Sequence, residues 1–374
     1  MRGLNWGLRA AGVSAIIDKT FYETGEQMTV RERIFRLLQQ RREMTRQEIA
    51  LNLSVSMPTA LQNVTELVEA GILEEGGTVE SVSGRKAKKL RLRPQAGSVL
   101  GINIALHQVE LIITDLAGQI ICSEAVPLPF RDETDWYAKL QDALTGFLRG
   151  TENVLCAGLS FPGIIDSQAN QIVQSHIFGL SHAGLERFQR CIPFPLTVGN
   201  DANCACFAEM EAGRDSFVYV SLNESVGGAV VMDRRLLLGD TFQAGEVGHM
   251  LLVPGGRVCY CGKPGCADSY LSPKALEQDG WDVYLEHLAI LLTNLRMMLN
   301  MDIVAGGQIG AELGSHWDAL CAKAAKYDRF SRDVDYIFPC MRREYACAAG
   351  AAALAMEEHG CRQLFSGRER DFLQ

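Results

Sequence analysis

A histidine and three cysteines lie within 18 residues of one another, in the pattern His-x9-Cys-x-Cys-x4-Cys. They are His249, Cys259, Cys261 and Cys266. Three thiolates and one imidazole form a complete tetrahedral ligand set for zinc, so the pattern predicts a structural zinc site. The alternative is core packing, since a free cysteine often serves as a small buried hydrophobe. The loop that carries the cysteines also contains Gly and Pro, which favours tight, ligand-bearing turns.

A carboxylate that the predicted metal does not need stands beside this cluster. Glu246 precedes His249 by three residues, in the stretch Gly245-Glu246-Val247-Gly248-His249. A loop braced by zinc would hold this carboxylate in a fixed position. The sequence therefore predicts that the metal site supports a second, neighbouring binding site.

The composition is that of a globular protein with two or three domains. Of 374 residues, 47% are hydrophobic and 22% are charged. No apolar run approaches the length of a membrane span, and the N-terminus lacks the pattern of an export signal. With 12 cysteines and no export signal, the chain is best interpreted as a protein of the reducing cytoplasm.

The net charge of −9 is unevenly distributed. Residues 30–93 hold 12 Lys and Arg against 8 Asp and Glu, whereas residues 94–374 hold 21 against 34. A small basic module attached to an acidic body indicates a nucleic-acid-binding module on a body with another role.

The basic module has the signals of three helices. Apolar residues recur on one helical face of residues 30–41. Thr45 and Glu48 form a capping box for a short second helix, and Ser56 caps a third helix that has Pro58 in its first turn. The order of caps and turns predicts a helix-turn-helix.

Two strands of a wing follow, at residues 72–77 and 88–93. The whole pattern predicts a winged helix-turn-helix over residues 30–93. Residues 1–29 are interpreted as an N-terminal extension that leads into the first helix.

The third helix of such a module enters the major groove by its N-terminal part. The candidates for base contacts there are Met57, Thr59, Gln62 and Asn63. Amide side chains can pair with adenine edges, and Arg85 and Lys86 in the wing suit phosphates or a minor groove. The alternative is a protein-interaction module with a solvated basic face. Caps, turn, wing and charge together favour DNA.

The acidic body contains an internal repeat. Three short strands with intervening turns begin near residue 99, and the same order of strands and turns returns near residue 217. The repeat predicts two similar α/β lobes, with helices at residues 136–148 and 285–299 covering the sheets. A cleft between two such lobes is a natural small-molecule site.

Polar residues fall where this cleft is expected. Asn200 and Asp201 stand at a strand end just before a helix. Their amide and carboxylate can bind hydroxyl groups of a ligand. The alternative is that they only cap the helix that follows.

Together these residues resemble the ROK family (repressors, open reading frames and sugar kinases), specifically its repressor branch with an N-terminal winged helix. The resemblance implies a two-lobed, actin-like sugar kinase fold at residues 94–374, with lobes at about 94–215 and 216–374 and a structural zinc. It also implies sugar contacts from Asn200, Asp201, Glu246 and His249. It further implies a sugar contact from Asp268, which stands where family members usually have Glu.

The two phosphate-binding loops of the family's kinases are degenerate in this chain. The first, usually Asp-x-Gly-Gly-Thr, is Asn-Ile-Ala-Leu-His at residues 103–107. The second has lost its leading glycines and begins Asn223-Glu224-Ser225. Phosphate loops need glycines so that backbone amides can approach the oxygens, so ATP binding is not expected.

We therefore expect a cytoplasmic, sugar-responsive transcriptional regulator, a repressor of carbohydrate-utilisation genes such as those of xylose metabolism. It would bind a palindromic operator as a homodimer or tetramer, with a sugar or sugar phosphate as effector. No catalytic residue is expected, and Asp201 marks the position of the kinase base. The alternatives are a ROK sugar kinase that retains a DNA-binding domain, and a DNA-binding protein whose body only dimerises or responds to another protein.

Overall fold

The basic module folds as the caps predict. The computed structural model describes residues 28–80, 86–210, 214–331 and 333–366. The module's helices and first strand are α1 (Val30–Arg41), β1 (Glu43–Thr45), α2 (Arg46–Leu53) and α3 (Met57–Glu69). Capping boxes at Thr29 and Thr45 begin α1 and α2, and the Ser56 hydroxyl accepts a hydrogen bond from the Thr59 amide to begin α3. The helix-turn-helix is confirmed.

The wing is an antiparallel hairpin of β2 (Leu73–Glu80) and β3 (Lys86–Leu92). Strand β1, which the sequence did not predict, pairs with β3 and completes a three-stranded sheet in the order β1-β3-β2. Residues 81–85, with the predicted DNA contact Arg85, lie outside the described residues.

The first lobe contains a five-stranded sheet in the order β11-β7-β4-β5-β6. Its elements are β4 (Ser98–Ile104), β5 (Val109–Asp115), β6 (Ile120–Val126), α4 (Thr134–Phe147), β7 (Val154–Phe161), β8 (Ile164–Asp166), β9 (Gln171–Ser175), β10 (Leu180–Gly184), α5 (Glu186–Cys191), β11 (Leu196–Asn200) and α6 (Asp201–Met210). Strands β4, β7 and β11 are parallel, and β5 and β6 extend the sheet as antiparallel strands.

The second lobe repeats this plan in the order β14-β13-β12-β15-β16. Its elements are β12 (Phe217–Leu222), β13 (Val226–Met232), β14 (Arg235–Leu236), α7 (Asp268–Leu271), α8 (Pro273–Leu299), β15 (Asp302–Gly306), α9 (Gly307–Glu312), α10 (Trp317–Tyr327), β16 (Ile337–Pro339), α11 (Ala346–Ala355) and α12 (Cys361–Ser366). Each lobe opens with an antiparallel hairpin and continues with parallel strands, so the predicted repeat and the mixed α/β fold are confirmed.

Helix α11 does not stay with the lobe in which the sequence-based boundary placed it. Although it follows the second sheet in the chain, it packs on β4 and β7 of the first sheet and on α6. Its ten residues are Ala, Cys, Gly and Leu, so it lies very close to its neighbours. A Cβ at Gly101 or Gly158 would meet a carbonyl oxygen of α11 at 2.3 or 1.9 Å.

The helix-turn-helix module shares its hydrophobic core with the first lobe. Buried Ile34, Phe35 and Leu38 of α1 belong to one cluster with Val99 of β4 and Met356, which follows α11. The module is therefore packed against the body rather than tethered by a bare linker. Within the described residues, no helix is both long and apolar enough to cross a membrane.

We expect Gly350→Ala to lower the stability of the protein. A Cβ at Gly350 would lie 1.6 Å from the Cys204 carbonyl oxygen of α6, so the two helices must separate. Such overpacking costs about 1–3 kcal/mol. Gly146→Ala is the matched control, since this exposed glycine in α4 has no neighbour within 4 Å of its added Cβ. Thermal unfolding checks both variants, and a Tm for Gly350→Ala equal to that of the control would contradict the close packing.

Candidate functional site: a cysteine cluster beside an inter-lobe cleft

The predicted metal ligands converge in the structure. The ligand atoms of His249, Cys259, Cys261 and Cys266 all lie within 4.8 Å of one another. The Cys261 and Cys266 sulfurs are 3.7 Å apart, and the Cys259 sulfur is 3.8 Å from Nδ1 of His249. The loop is closed by isolated bridges that pair Leu251 with Cys266 and residues 258 and 264 with each other.

This donor set fits a tetrahedral metal ion. With zinc–sulfur bonds of about 2.3 Å, two thiolates of a tetrahedral site lie about 3.8 Å apart, which matches the Cys261–Cys266 separation. A disulfide would need about 2.05 Å. Burial and the nearby His176 and Lys263 lower the pKa of the His249 ring, which keeps the ring neutral as ligation requires. These four residues would hold a zinc ion that braces the loop.

Glycines place the loop of residues 245–249 directly on strand β13. A Cβ at Gly248 would lie 2.0 Å from the Val226 carbonyl oxygen, and one at Gly245 would lie 2.6 Å from the Gly228 carbonyl oxygen. Gly245 also has a φ of +86°, which side chains rarely adopt. Because of this close approach, Glu246 faces the cleft while His249 reaches the cysteines.

A cleft of about 330 Å³ opens between the lobes beside this loop. Its volume lies in the range of small-ligand sites. The predicted Asn200, Asp201, Glu246 and His249 all line it. The remaining lining residues are Pro162, Gly163, Ile164, Gln174, Ser175, His176, Ile177, Ala202, Ser225, Val226, Gly227, Gly228, Gln243, Tyr260 and Cys261.

Asn200 caps helix α6 as well as lining the cleft. Its Oδ1 accepts a hydrogen bond from the Asn203 amide at 3.1 Å, and its Nδ2 donates to the Gly163 carbonyl at 2.8 Å. The capping alternative is thus realised for this residue. Asn200 also donates to the Asp201 carboxyl, so both hydrogens of its NH2 group have partners within the protein and help to position that carboxylate.

Asp201 and Glu246 bring two carboxylates into one cleft. Burial raises the pKa of the Asp201 carboxyl to about 6, although hydrogen bonds from the backbone amides of Ala202 and Asp201 and from Asn200 oppose the shift. Burial and, secondly, the charge of Asp201 raise the pKa of Glu246. The cleft therefore has acceptors for ligand hydroxyl groups, and burial together with the repulsion between the two carboxylates disfavours further negative charge there.

Two aromatic side chains at this wall were missed by the sequence analysis. Nε2 of His249 points away from the cysteines toward the Tyr260 hydroxyl, 3.4 Å away. The Tyr260 and His176 rings lie 5.1 Å apart, and both residues line the cleft. Tyr260 stands between two ligand cysteines, a position that could have identified it. His176 follows a short strand and has no comparable signal.

Asp268, predicted to contact a sugar, is not among the residues that line the cleft. It is buried at the start of α7, and its Oδ1 accepts a hydrogen bond from the Val226 amide at 2.7 Å. It therefore supports the turn between β12 and β13. Its role in sugar binding stays a prediction.

At the two degenerate hairpin turns, polar side chains form hydrogen bonds within the protein. Asn103 is buried and donates to Glu110, while Ile104 is fully buried in the first-lobe core. In the second lobe, Oδ1 of Asn223 accepts from the Gln308 amide at 2.7 Å and so caps α9. One of the amides that a phosphate could use at this helix end is thus already bonded within the protein.

The residues of α3 that are predicted to contact DNA bases are only partly exposed to solvent. Met57 and Gln62 are exposed, whereas Thr59 and Asn63 are half-buried. The Thr59 hydroxyl bonds to that of Ser56, and Asn63 donates to the Thr59 carbonyl. Leu61, half exposed on the same helix, was not predicted. Lys86 begins β3. These base and phosphate contacts stay predictions.

A two-lobed body with an inter-lobe cleft, joined to a helix-turn-helix, defines the class of this protein. Residues 99–282 match the family model described as the ROK family, and residues 30–76 match that of a helix-turn-helix domain. The chain thus carries a ROK-family domain behind an N-terminal helix-turn-helix domain.

Curated relatives are similar to this chain at low identity. The DNA-binding transcriptional dual regulator NagC of Escherichia coli K12 is 24% identical over 259 residues, which cover 66% of this chain and 63% of that protein. The xylose repressor of Bacillus subtilis 168 is 26% identical over 269 residues, covering 70% and 69%. The chain thus spans less than two thirds of the length of NagC.

Solved structures share the fold. A ROK family transcriptional regulator described as a homologue of E. coli Mlc has a TM-score of 0.72 at 18% identity, covering 90% of this chain and 97% of that one. A ROK hexokinase from Thermus thermophilus has a TM-score of 0.60 at 24% identity, covering 70% and 98%. The predicted ROK fold is confirmed.

We expect Cys261→Ser to release the metal. The change removes one of four ligands, and a serine hydroxyl is a poor replacement for a thiolate. The control is Cys321→Ser, because Cys321 lies on α10 outside the cluster. Elemental analysis of the purified proteins should find about one zinc per chain in the control and far less in Cys261→Ser. Full zinc occupancy in both variants would contradict the assignment.

Proposed function

We propose that this protein is a sugar-responsive transcriptional repressor that binds a palindromic operator as a homodimer. The observation that carries this is a winged helix-turn-helix packed onto a two-lobed body whose cleft presents Asn200, Asp201 and Glu246. Two carboxylates and an amide supply the hydrogen bonds that sugar hydroxyls need. The names of the two relatives, a DNA-binding transcriptional dual regulator and a xylose repressor, support a role in transcriptional regulation.

The hydrogen bonds within the two degenerate hairpin turns favour a regulator over a sugar kinase. Asp201 stands at the position of the kinase base, yet catalysis would also need a cradle for the transferred phosphate. Asn103 and Asn223 use their polar groups within the protein at the two turns concerned. Asp201 then acts only as an acceptor for a ligand hydroxyl.

The proposal is tested by selecting an operator from random DNA and titrating it with the full chain across a panel of sugars. We expect nanomolar binding at moderate salt, weakened by at least one sugar. Asp201→Asn should abolish the sugar response and keep operator binding. The matched control is Glu224→Gln, an exposed carboxylate that does not line the cleft. Sugar-dependent ATP turnover, or operator binding unaffected by every sugar, would defeat the proposal.

A continuous set of contacts connects the cleft with the DNA-binding module, and it begins with α6. This helix starts at Asp201 in the cleft and is about 15 Å long. Near its other end, the buried Glu209 carboxylate accepts hydrogen bonds from the amides of Met341 and Arg342, at 3.1 and 2.8 Å. A shift of α6 therefore moves Arg342.

Arg342 meets a turn of the first lobe, residues 115–119, which we call the joint turn. Its guanidinium donates to the Gly118 carbonyl at 3.5 Å. Asp115 shapes the turn, since its Oδ1 accepts from the amides of Ala117 and Gln119 at 2.9 Å each. The turn thus receives a contact from the segment that follows β16 of the second lobe.

The same turn receives helix α1 of the DNA-binding module. Gln39 donates to the Leu116 carbonyl at 3.2 Å, and Arg42 donates to the Ala117 carbonyl. Three successive carbonyls therefore bind the module on one side and Arg342 on the other. In the proposed mechanism, sugar binding shifts α6, and the joint turn passes this shift to the module. The loop of residues 245–266, which we call the zinc loop, holds the other wall of the cleft in place.

Arg342→Met should weaken the sugar response while leaving both binding events largely intact. It removes the contact with the joint turn without touching the cleft or α3. Coupling between sites is typically 1–3 kcal/mol, so we expect the sugar-induced change in operator affinity to fall several-fold. Arg343→Met is the neighbouring control, at an exposed position. Operator titrations with and without sugar measure the effect, and an unchanged ratio of affinities would exclude this route.

A further inference from the structure

We propose that the cleft selects an uncharged sugar and rejects its phosphorylated form. This rests on the proposed sugar-sensing function and concerns the same cleft. The sequence left a sugar and a sugar phosphate equally open as effectors. The charges that line the cleft separate these two classes.

Positive side chains are missing from the wall of the cleft. Among the described residues that line it, none is Lys or Arg, while Asp201 and Glu246 contribute two carboxylates. The nearest basic side chain along the zinc loop, Lys263, donates to the His249 carbonyl and is not among the lining residues. A phosphate recognised in a protein cleft usually needs Arg or Lys, which supply charge-assisted hydrogen bonds.

The usual substitute for a basic side chain, a helix N-terminus, is also engaged. Helix α6 is the helix that begins at the cleft, and an open N-terminus would attract an anion. Here Oδ1 of Asn200 accepts from the Asn203 amide, and the Asp201 carboxylate sits on the first turn. The protein therefore places its own negative charge where a phosphate would bind.

The glycines in the cleft do not form a phosphate-binding loop. Gly227 and Gly228 lie inside strand β13 and pair with Ser221 and Val220 of β12. Gly228 also packs against the backbone of Gly245, where an added Cβ would lie 2.8 Å from the carbonyl oxygen. Gly228 thus lets the loop of residues 245–249 approach the strand, and a Cβ at Gly227 would lie 3.1 Å from the Cβ of Ala202 in α6. Both glycines are paired residues of a strand, so their backbone is not arranged around an anion.

What the cleft does offer suits a neutral polyol. Gln174 and Gln243 can donate, and Asp201 and Glu246 can accept. The Tyr260 and His176 rings supply apolar surface on which a sugar ring can stack. Every class of contact that a sugar needs is present, and the class that a phosphate needs is not.

The test compares matched pairs of sugars by calorimetry with the zinc-loaded full chain. Glucose is compared with glucose 6-phosphate, N-acetylglucosamine with its 6-phosphate, and xylose represents the pentoses. For any pair that binds, we expect the free sugar to bind at least roughly 100-fold more tightly, given the repulsion between like charges a few ångströms apart. Equal or tighter binding of the phosphorylated member overturns the inference and leaves the proposed sugar sensor standing.

Charge-removing variants identify the cause. Glu246→Gln keeps the shape of the side chain. It should reduce the difference in affinity between the free and the phosphorylated sugar, mainly because the phosphorylated sugar binds more tightly. The control is Glu224→Gln, which removes an exposed carboxylate outside the lining and should leave this difference unchanged. An equal effect of both variants would assign the selection to the overall charge of the protein. Lack of binding by both members of every pair would overturn the proposed function itself.

Discussion

The rest of the site depends on the close backbone approach between the loop of residues 245–249 and strand β13. Only glycine fits at Gly245 and Gly248, because an added Cβ would collide with carbonyl oxygens of the strand. This contact holds Glu246 on the cleft side and His249 on the metal side of one short segment. The cysteine cluster and the cleft therefore share a wall, because His249 and Cys261 belong to both, and a metal ion would stabilise that wall.

Helix α6 connects the cleft with the segment that precedes α11. It begins with a cleft carboxylate, packs on α11 and β13 along its length, and ends with a buried carboxylate that orders the segment before α11. Because α11 consists of small residues set against glycines, these elements cannot shift independently at low cost. A ligand that moves one lobe would thus move a packed unit that reaches the joint turn.

Local sequence signals predicted much of this architecture. Capping boxes, the Ser56 cap and the spacing of the strands depend on residues near one another in the chain, so the helix-turn-helix and the repeated hairpins could be recognised directly. The His–Cys cluster was equally accessible, since all four ligands lie in one loop. Strand β1 was not, because three residues carry too little pattern until β3 pairs with them.

The roles of individual cleft residues could not be predicted from the sequence alone. Glu246, Asn200 and Asp201 could be named from type and position, but whether Asn200 bound a ligand or capped α6 depended on the geometry of Gly163 and Asn203. Asp268 turned inward to the Val226 amide, a contact 42 residues away in the chain that no local pattern encodes. His176 and Tyr260 meet only because two distant loops fold onto each other.

By itself, the sequence determined the kinds of units in this protein: a basic helix-turn-helix module, a repeated α/β body, a loop with a His–Cys cluster, and two hairpin turns that lack the glycines of phosphate loops. Each is encoded by neighbours in the chain, whose spacing is unaffected by folding. Only the tertiary structure decided how the units act on one another. The packing of α11 on the first lobe, the joint turn between α1 and Arg342, and the charge of the cleft all arise between residues far apart in sequence. Such contacts depend on complementary shape and burial in three dimensions, which a linear pattern does not contain.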